Sequence, residues 1–327
     1  MNDGFQIAFG DIHNHNAHGY GKGSIERSVD VAKTHLDFFG FTGHSSWHDL
    51  GVIENNAQEH FNAGFARLAQ TWPHVQDVIA DSNRDNEFCS FLGFEWHSNH
   101  FGDQCVIFPE DYQPRHYTDT LADLRAFCLG RSALMIPHHL AYPKGRRGVN
   151  WAEFDPRCSP VVEIYSWHGS SEDDRGPYPM YLGSPGGRET ANTVKRALSD
   201  GQQFGFVASS DNHSAFPGAY GEGLMGALVR ELTRPAILDA IRQRRTYALT
   251  GDRIEVEFLV NGAIMGSDVQ AGEIIDVEYT VRGRDEIECV ELIQDGLVVH
   301  RSYGSECITE KLAFAKPFQL RLEWGWG

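Results

Sequence analysis

The chain reads as an α/β protein, a barrel of about seven strands followed by a small antiparallel β-sandwich. Three observations predict this. Up to about residue 250, short apolar runs alternate with amphipathic helical patterns, as expected for strands covered on both faces by helices. Seven or so such runs suit a closed barrel better than a small open sheet. Beyond "YALTGDR" the texture changes to strict apolar–polar alternation with "NG" and "DG" dipeptides, the pattern of hairpins with one face in water.

The first part contains the strand-like runs "FQIAF", "LDFFGFT", "SFLGFE", "QCVIF", "ALMIPH", "VVEIYS" and "FGFVASSD". Between them, "SIERSVDVAKTHL" places Ile25, Val29, Ala32 and Leu36 on one stripe, with Ser24 as N-cap. "AQEHFNAGFARLAQTW" and "RETANTVKRALSDG" are also helical in period, the latter stopping at Gly201. "TRPAILDAIRQRR" carries Pro235 in its first turn, where the missing N–H costs nothing. From about residue 252, "IEVEFLVNG", "EIIDVEYTVRG", "IECVELIQDGLVVHR" and "FQLRLEWGWG" read as strands. The expected boundaries are therefore 1–250 for the barrel and 251–327 for the sandwich.

The 327 residues are 41% hydrophobic and 22% charged, an ordinary globular balance. A net charge of −17 disfavours binding to nucleic-acid phosphates. No window of 18 apolar residues suggests a membrane span. The start "MNDGFQIAFG" lacks the basic and apolar regions of a signal peptide, so a cytoplasmic location is expected. The six cysteines form no C-x-x-C pair and mostly sit in apolar runs, as small core residues do.

The polar residues that carry chemistry fall at strand ends. "GDIHNH" places His13 and His15 two apart, so an extended backbone turns both to one face. His44 follows "FFGFTG", and Glu95 ends "FLGFE", with His97, His100 and Asp103 close behind. "ALMIPHH" ends in His138 and His139, and "FVASSDNH" in Asp211 and His213. In a parallel barrel the C-terminal strand ends share one rim, so these distant residues are expected to converge. Imidazoles and carboxylates without thiolates suit zinc, manganese or iron. The ligand count suggests two or three divalent ions bridged by Glu95 or Asp211. Paired ions about 3.5–4 Å apart activate water, which points to hydrolysis.

"GDIHNH", "LDFFGFTGH", "FLGFE", "IPHH" and "SSDNH", in this order over residues 8 to 250, resemble the PHP (polymerase and histidinol phosphatase) superfamily. "EIYSWHGSSE", "GFVASSDNH" and "AIRQRRTYALTG" are similar to a branch in which a small β domain follows the barrel. The resemblance implies a distorted, TIM-like (β/α)7 barrel holding two or three metal ions and a metal-bridged hydroxide. Its ligands would be His13, His15, His44, Glu95, His138, Asp211 and His213, with His139 as the alternative to His138. The family's early acidic or histidine ligand has no clean match, and His18 is taken for it. Gly43 stands where the family's T-D-H motif has aspartate, and Asp103 stands near a usual histidine.

Three residues are expected to act on substrate. His168 in "SWHGSSE" either protonates a leaving group or is a loop residue held by Glu172. Arg146 in "KGRRG" either clamps an anion or faces solvent. Asp103 is placed beside the ions. Glu163 either orients a ligand or closes a barrel layer. Trp47, Trp96 and Trp167 either wall a pocket or pack a core. A serine nucleophile is disfavoured because no G-x-S-x-G turn occurs. The expected activity is a phosphoesterase acting on a small, anionic molecule. An amidohydrolase-like amide, ester or lactone hydrolase is the alternative, although no lysine sits at a strand end as that pattern requires. A non-catalytic metal-binding protein is the other alternative. Self-association is left open.

Overall fold

The computed structural model describes residues 4–180, 187–270, 272, 274–294 and 296–314. Its strands are β1 (Gln6–Asp11), β2 (Phe38–Trp47), β3 (Cys89–His97), β4 (Asp103–Ile107), β5 (Leu134–His138), β6 (Val161–Ser166), β7 (Gly169–Ser170), β8 (Gly205–Ala208), β9 (Leu224–Val229) and β10 (Thr246–Leu249). The C-terminal strands are β11 (Glu255–Val260), β12 (Ala263–Ile264), β13 (Ile275–Gln294) and β14 (Leu297–Phe314). The helices are α1 (Ile25–His35), α2 (Gln58–Ser82), α3 (Leu121–Leu129), α4 (Val194–Ser199) and α5 (Arg234–Arg242).

The first ten strands form a seven-stranded sheet, β10-β9-β1-β2-β3-β4-β5, and a three-stranded sheet, β7-β6-β8. This differs from a uniformly parallel (β/α)7 barrel. Parallel pairing joins only β1 to β2, β2 to β3 and β6 to β8. Strands β4, β9 and β10 run antiparallel to their neighbours. A short link, residues 98–102, joins β3 to β4 with no helix, so only a hairpin return is available. Side chains from both sheets, including Ile12, Phe91, Cys105, Ile136, Val161, Val207 and Met225, nonetheless meet in one buried cluster. The two sheets curl around that shared interior, which brings their ends to one mouth.

The helices follow their apolar stripes. Ser24 caps α1 by accepting from the Arg27 amide, and Ile25, Val29 and Ala32 are buried. Helix α2 runs ten residues past the expected end at Trp72, through Pro73. Its stripe of Leu68, Trp72, Val75 and Ile79 is buried against the sheet. Each such side chain contributes about 2 kcal/mol, which offsets the hydrogen bond that the proline removes. The "RETANTVKRALSDG" pattern yields a single 3-10 turn, Thr190–Asn192, and the short α4. Strands β9 and β10 and helix α3 are additions to the elements expected above.

Among the described residues after 252 there is one four-stranded antiparallel sheet, β12-β11-β13-β14, where a two-sheet sandwich was expected of the whole segment. The long β13–β14 hairpin dominates it. The "NG" turn behaves as its residues require: Asn261 and Gly262 both have positive φ, 51° and 76°. The expected strand "FQLRLEWGWG" lies outside the described residues. Buried residues of β11 and β13, such as Val256, Val277 and Val281, join the same core cluster as Phe41, Leu68 and Leu92. Among the described residues, no helix is long and apolar enough to cross a membrane. Cys89, Cys105, Cys128 and Cys158 are buried, whereas Cys289 is half-buried and Cys307 is exposed.

Candidate metal centre

The strand ends deliver their polar residues to one place. His13 and His15 follow β1 on an extended stretch that pairs with the segment after β8. The His15 amide donates to the Asn212 carbonyl at 2.7 Å, and the Asp211 amide to the His13 carbonyl at 2.8 Å. Asp11 locks the same junction, accepting from Ser210 Oγ at 2.5 Å, the Gly218 amide at 2.8 Å and the Ser210 and His13 amides at 3.1 Å. Burial pushes its carboxyl up to about 6 against those donors. Strand β4 starts at the mouth because it runs antiparallel, so Asp103 sits opposite His138 and Cys105 opposite Glu95. Asp211 and His139 both adopt left-handed φ of 53°, a cost of roughly 1 kcal/mol or more each that concentrates at functional sites.

His13, His15, His44, Glu95, His97, Asp103, His138, His139 and Asp211 are all buried. Hydrogen bonds fix the tautomers of two rings. His13 Nδ1 lies 2.9 Å from Glu163 Oε2, and His213 Nδ1 lies 2.8 Å from the Asp211 carbonyl oxygen. Both partners only accept, so each Nδ1 carries the proton and each Nε2 presents a lone pair. Those lone pairs face other imidazoles: His13 Nε2 is 3.1 Å from His15 Nε2, and His213 Nε2 is 3.1 Å from His44 Nε2. Asp211 Oδ1 lies 2.9 Å from His15 Nε2. Glu95 Oε1 lies 2.7 Å from His138 Nε2, and Glu95 Oε2 lies 3.5 and 3.6 Å from His15 and His44 Nε2.

These donors fit divalent cations. Among the described residues, Glu95 Oε2 and His138 Nε2 are buried without a hydrogen-bond partner. The close His138–Glu95 approach is therefore not along a hydrogen-bond direction. Each unmet group costs about 1–3 kcal/mol. Donor sets close enough for one ion are His13–His15–Asp211, His15–His44–His213, His44–Glu95–His97 and Glu95–Asp103–His138–His139. Protonation states agree at most of these groups. His13 is the exception: burial would lower it, but the charges facing it, Glu163 and Asp211 among them, hold it well above the usual imidazole range, so it gives up an Nε2 proton when it ligates. Burial lowers His15 to about 3 and holds His44 and His139 well below the usual range. Burial alone would raise Glu95 and Asp211, but facing imidazoles outweigh it and keep both carboxyls well below normal. Neutral imidazoles beside ionised carboxylates are what metal ligation requires. Cys105 also approaches His13 and His138, yet burial pushes its thiol upward, so it stays a protonated neighbour.

Other expected residues fall elsewhere. His18 turns its ring to α2, with Nδ1 2.8 Å from Thr71 Oγ1. Its loop is pinned there by Arg67, whose Nη1 donates to the Gly19 carbonyl at 2.6 Å. Tyr20 takes the inner position and stacks on His44 at 3.4 Å between ring centres. Arg146 sits exposed at the end of a turn closed by its own amide on the Pro143 carbonyl. The next residue, Arg147, points inward. Asp103, expected on the substrate, is fully buried and accepts from Arg147 Nε at 2.6 Å and the Ser98 amide at 3.0 Å. His168 stands at the rim, with Nδ1 3.1 Å from the Tyr142 hydroxyl and Nε2 3.1 Å from Asp211 Oδ2. Glu163 orients His13. Trp96 is core, whereas Trp47 lies beside His97, and Trp167, 40% exposed, lies beside His168. Gly43 faces Phe41 and Leu68; a Cβ there would lie 2.4 Å from the Phe41 ring.

Two residues were open to sequence reasoning and not assigned. His97 is spaced from Glu95 as His15 is from His13, so the same two-residue rule selects it. Asp11 stands in "GDIHNH" itself. Tyr20 and Arg147 carry no such signal.

A family model described as "Protein of unknown function (DUF3604)" matches residues 219–282. An uncharacterized protein of Chlamydia trachomatis is 28% identical over 71% of this chain and 41% of its own length. Another, from Chlamydia muridarum, is 26% identical over 72% of this chain and 41% of its own. The chain thus spans about two fifths of these relatives. In fold it is similar to a two-domain protein from Bacteroides vulgatus, described as containing a predicted PHP-like metal-dependent phosphoesterase. That similarity has a TM-score of 0.51 and 15% identity, and covers 98% of this chain and 87% of the other. It extends to the fold alone.

Proposed function

We propose that the chain is a metal-dependent hydrolase, and specifically a phosphoesterase acting on a small anionic molecule. The observation that carries the reading is the pair of rings, His13 and His213, whose Nδ1 protons are held by acceptors so that their Nε2 atoms face those of His15 and His44 beside the partnerless Glu95 Oε2. The description of the Bacteroides fold neighbour points the same way. Zinc, manganese or iron bound to this set would supply Lewis acidity and lower the pKa of water. The protein's own residues do the rest. Glu163 and the Asp211 carbonyl hold the two rings in their ligand tautomers. His168, half-buried at the rim between Tyr142 and Asp211, is placed to hold a proton for the leaving group. Tyr20, Trp47 and Trp167 wall the mouth.

The test is turnover by the manganese-loaded protein of aryl phosphates and aryl esters. Hydrolysis of phosphates alone is expected, and His13→Ala should abolish it. Esters alone would assign an amidohydrolase-like reaction. Neither, with metal bound, would assign a binding role.

A further inference from the structure

One end of the cluster already contains a cation. The loop "YPKGRRG" turns so tightly that a Cβ at Gly148 would lie 1.8 Å from the Tyr142 carbonyl oxygen. Arg147, in left-handed backbone at φ 69°, is thereby aimed inward, its guanidinium 4.9 Å from the Trp47 ring centre. Arg147 Nε donates to Asp103 Oδ2 at 2.6 Å, and Nη2 lies 2.5 Å from the same oxygen and 3.9 Å from Glu95 Oε1. Nη2 also lies 3.1 Å from His97 Nδ1. The same Nδ1 lies 3.2 Å from Asp103 Oδ2 and 3.3 Å from Glu95 Oε1, but the aligned contact is the one with Arg147, and a guanidinium only donates, so His97 Nδ1 accepts there. The lone pair by which His97 Nδ1 would join Glu95 and Asp103 around an ion is therefore spent. Its Nε2 then carries the proton, 3.4 Å from the Tyr20 hydroxyl. Asp103 Oδ1 is taken by the Ser98 amide.

The two ends of the cluster differ in kind. Around His15, His138 and Glu95, buried polar atoms are without a partner among the described residues. Around His97 and Asp103, they are met by the Arg147 side chain and the Ser98 amide. We propose that the Arg147 guanidinium occupies the position of a third divalent ion, so that the centre binds two ions per chain with Arg147 as its resident third cation. This rests on the metal-dependent reading above. A fixed guanidinium offsets the charge of Asp103 and can hold an anionic oxygen, but offers no coordination position for water.

The experiment is metal analysis of the full chain, saturated with manganese and gel-filtered, by mass spectrometry of ions per polypeptide. Wild type should hold two. Arg147→Met, with its fold checked by circular dichroism, should hold three, and Arg147→Lys should stay at two. Three ions in wild type, or two in folded Arg147→Met, would overturn the proposal. The wild-type count alone decides if Arg147→Met does not fold. One ion in wild type would overturn the proposal alone, and none would overturn the metal-centre reading as well. Absence of phosphatase turnover with the expected counts would overturn only the phosphoesterase assignment.

Discussion

Glu163 orients His13 through one buried bond, and the strength of that bond sets what its removal does. The contact is 2.9 Å long, and both side chains are buried. An amide at this position still accepts the Nδ1 proton, so Glu163→Gln keeps the tautomer and loses only the charge assistance. Charged hydrogen bonds contribute about 1.5–3 kcal/mol net, against about 0.5–1.5 for neutral ones. The difference of about 1.4 kcal/mol is roughly tenfold in metal affinity. Glu163→Ala leaves Nδ1 without this buried acceptor and frees the ring, so about 100-fold is expected. Calorimetric titration of apo-protein with manganese reads both values. Turnover of Glu163→Gln at saturating manganese should recover to within a few-fold of wild type, because the defect lies in affinity. An alanine variant that binds manganese within twofold of wild type would refute the argument.

Two further outcomes follow from the same geometry. Gly43→Asp should destabilise the fold by about 3 kcal/mol or more, because it overpacks Phe41 and Leu68 and buries an unpaired carboxylate. Urea denaturation checks this, and wild-type stability with tighter metal binding would contradict it. The apo-protein should also lose stability in acid. His15 is lowered from 6.5 to about 3, so the unfolded chain binds the extra proton, and the stability present above pH 6.5 is lost as pH falls towards 3. At about 1.4 kcal/mol per pH unit, about 2 kcal/mol is lost by pH 5 from this group alone. Glu95 and Asp211, held below their ordinary values, add losses of the same sign at lower pH. A urea midpoint in EDTA that is flat from pH 7 to 5 would rule this out.

Local pattern determined a good deal by itself. A two-residue period places alternate side chains on one face, and that alone selects His13 with His15 and, applied once more, Glu95 with His97. Apolar stripes at helical spacing located α1 and the start of α2, and the "NG" dipeptide specified its turn. The tertiary structure decided what depends on contacts between distant segments. Strand β4 returns antiparallel because the link before it is too short for a crossover, which carries Asp103 to the mouth. The end of α2 was set by burial of Val75 and Ile79 beyond Pro73, not by the proline. Tyr20, not His18, lies against His44 because Arg67 pins their loop to α2. Arg146 and Arg147 are chemically identical and adjacent; only the backbone forced by the close approach at Gly148 sends one to solvent and the other to Asp103.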